Sequence, residues 1–181
     1  HSLMWNSKEF IDCFDHGRQL QSACSFDCGV PGPFVAETYN PTEAGSRRDG
    51  RGDVSSSRLL SLTAAGTDLQ TTSQMAFWVP PGEATEGVPA RNPTLHSNHG
   101  LTKLVRIGYR DLTNVVRYDV TFTVPDDEPP HQFAQFEALT GYMPPEFEQF
   151  SKFNPASGEL ETLSDGPGEQ PWPVVLATAS G

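Results

Sequence analysis

The sequence predicts an all-β chain, an antiparallel sandwich or supersandwich with long loops and at most one short helix. Three observations carry that prediction. Several segments alternate apolar and polar residues with period two, the pattern of a strand with one buried face. The 181 residues include 16 glycines and 16 prolines, above the roughly 12 per cent combined share of ordinary proteins, and both residues disfavour helix interiors. Only one short stretch places apolar residues at helical spacing.

Taken along the chain, strands are expected over residues 3–11, 18–26, 58–64, 69–79, 101–107, 117–124, 133–139 and 174–178. The clearest is 117–124. There Tyr118, Val120, Phe122 and Val124 should face the core, while Arg117, Asp119, Thr121 and Thr123 face outward. Pro125 ends it, because proline cannot donate to a sheet ladder. Gly66-Thr67-Asp68 reads as a tight hairpin connection between two strands. Residues 145–150 are the one helix candidate, with Pro145 in a first-turn position and Phe147 and Phe150 three apart. Breakers concentrate in two long loops, 28–54 and 80–100, and long ordered loops often carry function.

A chain of this length folds as one domain, expected here to span 1–181, and its ragged ends read as those of a piece of a longer chain. Twenty-three acids against 12 Lys and Arg give a formal charge of −11, which argues against a nucleic-acid partner. No apolar run approaches the roughly 18 residues of a membrane span, and no targeting segment is visible. Cys13, Cys24 and Cys28 are too few and too irregular for a disulfide framework or a zinc site. One bridge, such as Cys13 to Cys24, is open to an oxidising compartment, and otherwise all three serve as small apolar residues. The compartment and the oligomeric state stay open, with an extracytoplasmic location slightly favoured.

Nucleotide-binding, serine-hydrolase and metalloprotease motifs are absent. The densest polar cluster is Phe14-Asp15-His16-Gly17-Arg18-Gln19-Leu20-Gln21, a turn followed by a strand that carries Gln19 and Gln21 on one face. Amides and guanidinium groups projecting together suit a hydroxyl-rich ligand, since each hydroxyl both donates and accepts. Asn40-Pro41-Thr42-Glu43-Ala44-Gly45 presents an amide and a carboxylate between a proline and a glycine. Glu137, Glu146 and Glu148 lie close in sequence to Phe136, Tyr142, Phe147, Phe150 and Phe153. Paired carboxylates and aromatics are tools of sugar chemistry, although packing is the commoner use of such rings. His96 and His99 form half a metal site without a nearby third ligand. His1 has no motif around it that would support copper chemistry, and Arg51-Gly52-Asp53 is an adhesion-type tripeptide in a loop. No metal or cofactor is expected.

The opening text, Leu3-x-Trp5-x3-Glu9-Phe10-Ile11 followed by Asp15 to Ala23, resembles the first hairpins of galactose mutarotase-like domains, the aldose epimerase superfamily. The loop Asn40 to Gly45 falls where such folds place a substrate-side segment. The resemblance covers about residues 3–45 and implies a β-supersandwich whose concave face binds carbohydrate. The family's His-x-Tyr-Phe-Asn text has no counterpart in this sequence, so no catalytic residue is carried over. The resulting expectation is a carbohydrate-associated domain, with His16, Arg18, Gln21, Asn40 and Glu43 as ligand contacts. His16 would supply a hydrogen bond or proton, Arg18 a clamp for a hydroxyl or carboxylate, and Glu43 an acceptor. The alternative is a structural or adhesion module of a larger surface protein, with its loops facing a partner. An active sugar epimerase, lyase or hydrolase-related domain is the third expectation.

Overall fold

The computed structural model describes residues 2–12, 20–50, 54–164, 168 and 170–179. Within them the chain is all-β, with antiparallel sheets throughout and a 3-10 turn, Ala36–Tyr39, as the only helical segment. It divides into two compact units, 1–142 and 143–181.

The first unit is organised by a seven-stranded sheet. Its strands are β3 (Gln21–Phe26), β4 (Pro41–Thr42), β5 (Arg58–Ala65), β6 (Asp68–Phe77), β9 (His96–Tyr109), β10 (Leu112–Thr123) and β11 (Ala134–Thr140). The spatial order is β10-β9-β6-β4-β3-β11, and β5 also pairs with β6. Small hairpins β1/β2 (Met4–Trp5, Lys8–Glu9) and β7/β8 (Ala84–Thr85, Val88–Pro89) stand apart from it. The sheet curls until rings on its two edge strands meet, with Phe122 of β10 and Phe136 of β11 5.2 Å apart. Cys24, Phe26, Tyr39, Met75, Phe77 and Leu101 fill the inside of the curl, and Val120 and Phe122 pack against them.

The expected strand alternation holds in β10, where Arg117, Thr121 and Thr123 are exposed while Tyr118, Val120 and Phe122 are partly covered. Val124, expected inside, is exposed, because the strand ends at Thr123 before the proline. The β5–β6 hairpin turns through Gly66 and Thr67, and Gly66 has φ +59°, the positive value a tight two-residue turn needs at its first position. Strand β6 changes neighbour along its length. Residues 68–74 pair with β5, whereas Ala76 and Phe77 pair with β4. Ser57 bridges the change, donating to the Thr42 carbonyl at 2.7 Å and accepting from the Ala76 amide at 2.9 Å.

Some expectations are corrected. The segment 3–11 is not one strand, because Asn6 (φ 48°) and Ser7 (φ 64°) turn it into the β1/β2 hairpin. The residues 145–150 form no helix. Phe150 instead enters β12 (Gln149–Asn154), which lies between β13 (Glu159–Thr162) and β14 (Val174–Ala177) in the second unit. A single turn closes too few hydrogen bonds to offset helix nucleation. The loop 80–100 is shorter than expected, since β9 begins at His96. Cys24 is a free buried thiol rather than a bridged one. Burial and then the charges of Glu128 and Glu137 push it up to about 12, which leaves it inert. Cys13 lies outside the described residues.

Gly45 is required by its surroundings. Its φ is +93°, and an added Cβ would sit 2.4 Å from Asp49 Oδ2 and 2.5 Å from Ser55 Oγ. Asp49 Oδ2 already accepts from the Ser46 amide, the Ser56 amide and the Ser56 hydroxyl. Gly45→Ala is therefore expected to cost more than about 1 kcal/mol of stability, read from the denaturant midpoint.

Candidate functional site

Two of the expected ligand residues, Gln21 and Asn40, line one cavity of about 210 Å³ together with Glu37, Thr42, Trp78, Glu137, Thr140 and Tyr142. The strand period explains the arrangement. Gln21, Ala23 and Ser25 alternate along β3 and line the cavity, whereas Cys24 and Phe26 point into the core. Ala23 pairs with Glu137 on one side and Thr42 on the other. Its small side chain leaves a hollow between two larger polar neighbours. Glu137 and Thr140 are three apart and would face opposite ways in a regular strand. A register shift between them brings both to the cavity, the re-aiming that bulges produce near sites.

Neighbouring groups hold these side chains in place. Thr42 Oγ1 donates to Gln21 Oε1 at 2.7 Å. Asn40 Nδ2 donates to the Cys24 carbonyl at 2.8 Å and to Ser25 Oγ at 2.9 Å. Thr140 Oγ1 donates to Glu137 Oε2 at 2.8 Å, and Thr85 Oγ1 to Glu37 Oε2 at 2.7 Å. The Trp78 amide donates to the Asn40 carbonyl at 3.0 Å. The result is a concave surface with two amides, two carboxylates and two aromatic residues. Such a surface can hydrogen-bond and stack a polar ring.

Glu43 is placed elsewhere. Its carboxylate forms an ion pair with Lys103 and accepts from the Ser22 amide at 3.1 Å, with the Lys103 side chain only 7% exposed. His16 and Arg18 lie outside the described residues, as do His1 and Arg51-Gly52-Asp53. His96 and His99 are on β9 rather than in a loop, His96 exposed and His99 buried. Among the described residues no group of three or more His, Cys, Asp or Glu is placed to hold a metal.

A second polar cluster was not legible in the sequence. Glu128 accepts from the Tyr39 hydroxyl at 3.1 and 2.9 Å through its two oxygens. His99 Nδ1 lies 3.2 Å from Glu128 Oε1 and His131 Nε2 lies 3.4 Å from Oε2. Ser97 Oγ is 2.6 Å from His99 Nδ1. The Cys28 amide donates to His131 Nδ1 at 3.2 Å, and His131 Nε2 is buried without a hydrogen-bond partner. The Phe26 ring lies 5.1 Å from His99 and 4.5 Å from His131. Burial, followed by the charge of His131, holds His99 down to about 4, so its ring is neutral near pH 7. Its Nε2 is buried without a hydrogen-bond partner. Burial and the Glu128 contact raise the Tyr39 phenol above its ordinary range. This cluster borders a larger cavity of about 460 Å³, whose lining includes Tyr39, Phe77, Ser97, Asp127 and Glu128. Along β9 the buried positions alternate as Ser97, His99, Leu101 and Lys103, three of the four polar, a pattern that carries no apolar periodicity to mark it.

No helix among the described residues is long and apolar enough to cross a membrane. No protein-family model matches the chain, and no curated protein matches its sequence.

Proposed function

We propose that this chain is a carbohydrate-binding domain whose ligand sits in the cavity on Gln21 and Asn40. The observation that carries the reading is the convergence there of two amides, two carboxylates and two aromatic residues from four separate segments. Sugars present hydroxyls that donate and accept at once, matched by amide and carboxylate groups, and apolar ring faces that stack on aromatics. Trp78 is partly covered and Tyr142 is 47% exposed, so both rings have surface to offer. The resemblance of residues 3–45 to galactose mutarotase-like domains points the same way.

The test is calorimetric titration with a panel of neutral, amino and acidic mono- and disaccharides. At least one is expected to bind. Tyr142→Ala, at an exposed position, is expected to weaken binding roughly tenfold, the scale of one lost aromatic contact. Asn40→Asp should weaken it as well while retaining an acceptor. A panel in which nothing binds at about 10 mM, or binding that is indifferent to Tyr142 and Asn40, overturns the proposal.

A further inference from the structure

We propose that the larger cavity beside Glu128 is a binding site for a small organic cation, an ammonium group carried on an apolar body. This site is separate from the one on Gln21 and Asn40, and the inference does not rest on carbohydrate binding.

The argument begins with the charge on Glu128. Its side chain is 11% exposed, and it forms no ion pair with Lys or Arg among the described residues. The three groups around the carboxylate are the Tyr39 hydroxyl and two imidazoles. None is a permanent cation. His99 is held neutral by burial, and the His131 ring accepts the Cys28 amide through Nδ1. The Glu128 carboxylate is therefore poorly solvated, and no Lys or Arg among the described residues pairs with it. Leaving such a charge uncompensated is costly. A ligand cation would compensate it.

The cavity supplies the rest of the recognition. Tyr39 and Phe77 lie in edge contact, centroids 4.6 Å apart, and both line the cavity along with Val30, Pro93 and Pro129. An ammonium group gains from aromatic faces, and its apolar body gains from the prolines and valine. Exposed Asp127 adds a second carboxylate at the rim. Arg91 also lines the cavity and donates to the Asp27 carbonyl. Two carboxylates against one guanidinium leave a net negative charge, which selects for a cation. The volume of about 460 Å³ falls within the range of small-molecule sites.

The experiment titrates the protein at pH 7.5 with three probes of similar shape and different charge: phenethylamine, 2-phenylethanol and 3-phenylpropionate. Binding is followed by calorimetry and by chemical-shift changes of the Tyr39 and Phe77 rings. Phenethylamine is expected to bind at least tenfold more tightly than 2-phenylethanol, and 3-phenylpropionate not at all. Glu128→Gln, which keeps the shape and removes the charge, should abolish the preference for the amine. Asp127→Asn, at an exposed position that leaves the core untouched, should reduce it several-fold even if Glu128→Gln fails to fold. Tyr142→Ala, in the other cavity, should leave amine binding unchanged. Equal affinity for amine and alcohol, no amine binding at about 10 mM, or a preference untouched by both charge-removing variants overturns the proposal.

Discussion

Glu43→Ala lowers the stability of the protein by about 3–5 kcal/mol, the cost of removing one partner from a buried ion pair. Lys103 sits on β9 with its side chain 7% exposed, and Glu43 is 22% exposed. Without the carboxylate, the ammonium is left in the sheet with no ion-pair partner among the described residues, and the Ser22 amide loses the carboxylate acceptor. Much of the measured loss is the penalty of that stranded charge rather than the value of the pair. The double variant Glu43→Met/Lys103→Met is consequently expected to recover most of the stability, since apolar residues of similar volume tolerate burial. Denaturant unfolding of Glu43→Met, Lys103→Met and the double variant closes the cycle. A cost below about 1 kcal/mol for either single variant, or a double variant that merely adds the two losses, contradicts this account. The result also bears on function. A large stability loss with unchanged sugar affinity in the surviving folded fraction assigns Glu43 to the scaffold rather than to the ligand.

The second large effect is a loss of stability in mild acid that traces to His99. Its ring is held down to about 4 in the folded protein, against 6.5 when exposed. The unfolded chain thus binds a proton that the folded one refuses throughout the interval between those values. Neutral His99 contributes its full stabilisation above pH 6.5, and the contribution is lost as the pH falls toward 4. The expected slope is about 1.4 kcal/mol per pH unit, and the total is about 3 kcal/mol. The groups facing the ring are Glu128, Ser97 and Tyr39, together with Phe26 and His131. Depressed carboxylates such as Asp68 and Glu83, each held by an arginine, act in a lower window. Their contribution fades as unfolded carboxylates protonate, from about pH 5.5 downward. The difference between the wild type and a His99 variant from about pH 6.5 to 5.5 therefore reports the histidine. His99→Phe, which keeps a planar ring and removes the titration, should flatten the curve over that interval. An unchanged slope in the variant would place the acid response elsewhere.

Much of the scaffold was readable locally. The alternation of Tyr118, Val120 and Phe122 reports a strand because its period is two residues, and the structure packs Val120 and Phe122 against the core and partly covers Tyr118. Gly66 marks a hairpin because a positive φ at the first turn position favours a residue without Cβ. The helix expected at 145–150 shows the limit of the same reasoning. Its two phenylalanines fit helical spacing, but the cross-strand pairing of Phe150 with Leu176 decides the outcome. The expected strand 101–107 omits the first five residues of β9, because Ser97 and His99 at core-facing positions look like loop residues.

The candidate site divides along similar lines. Gln21 and Asn40, expected as ligand contacts from residue type and local context, line one cavity. Trp78, Glu37 and Thr140 had no local pattern to mark them. They reach the cavity through the ends of three other segments and a register shift in β11. The cluster on Glu128 was invisible for the same reason, since it joins residues from the 3-10 turn, β9 and the loop after β10.

The sequence by itself determined the class of this protein. Strand periodicity, turn glycines and helix-breaking prolines act over a few residues, and they suffice to make an all-β chain with long loops. Only the tertiary structure decided what the polar residues do. Glu43 meets Lys103 across 60 positions, and Tyr39 meets Glu128 across 89. Whether a carboxylate faces a ligand, a lysine or a pair of imidazoles depends on which distant strand the curl of the sheet brings beside it.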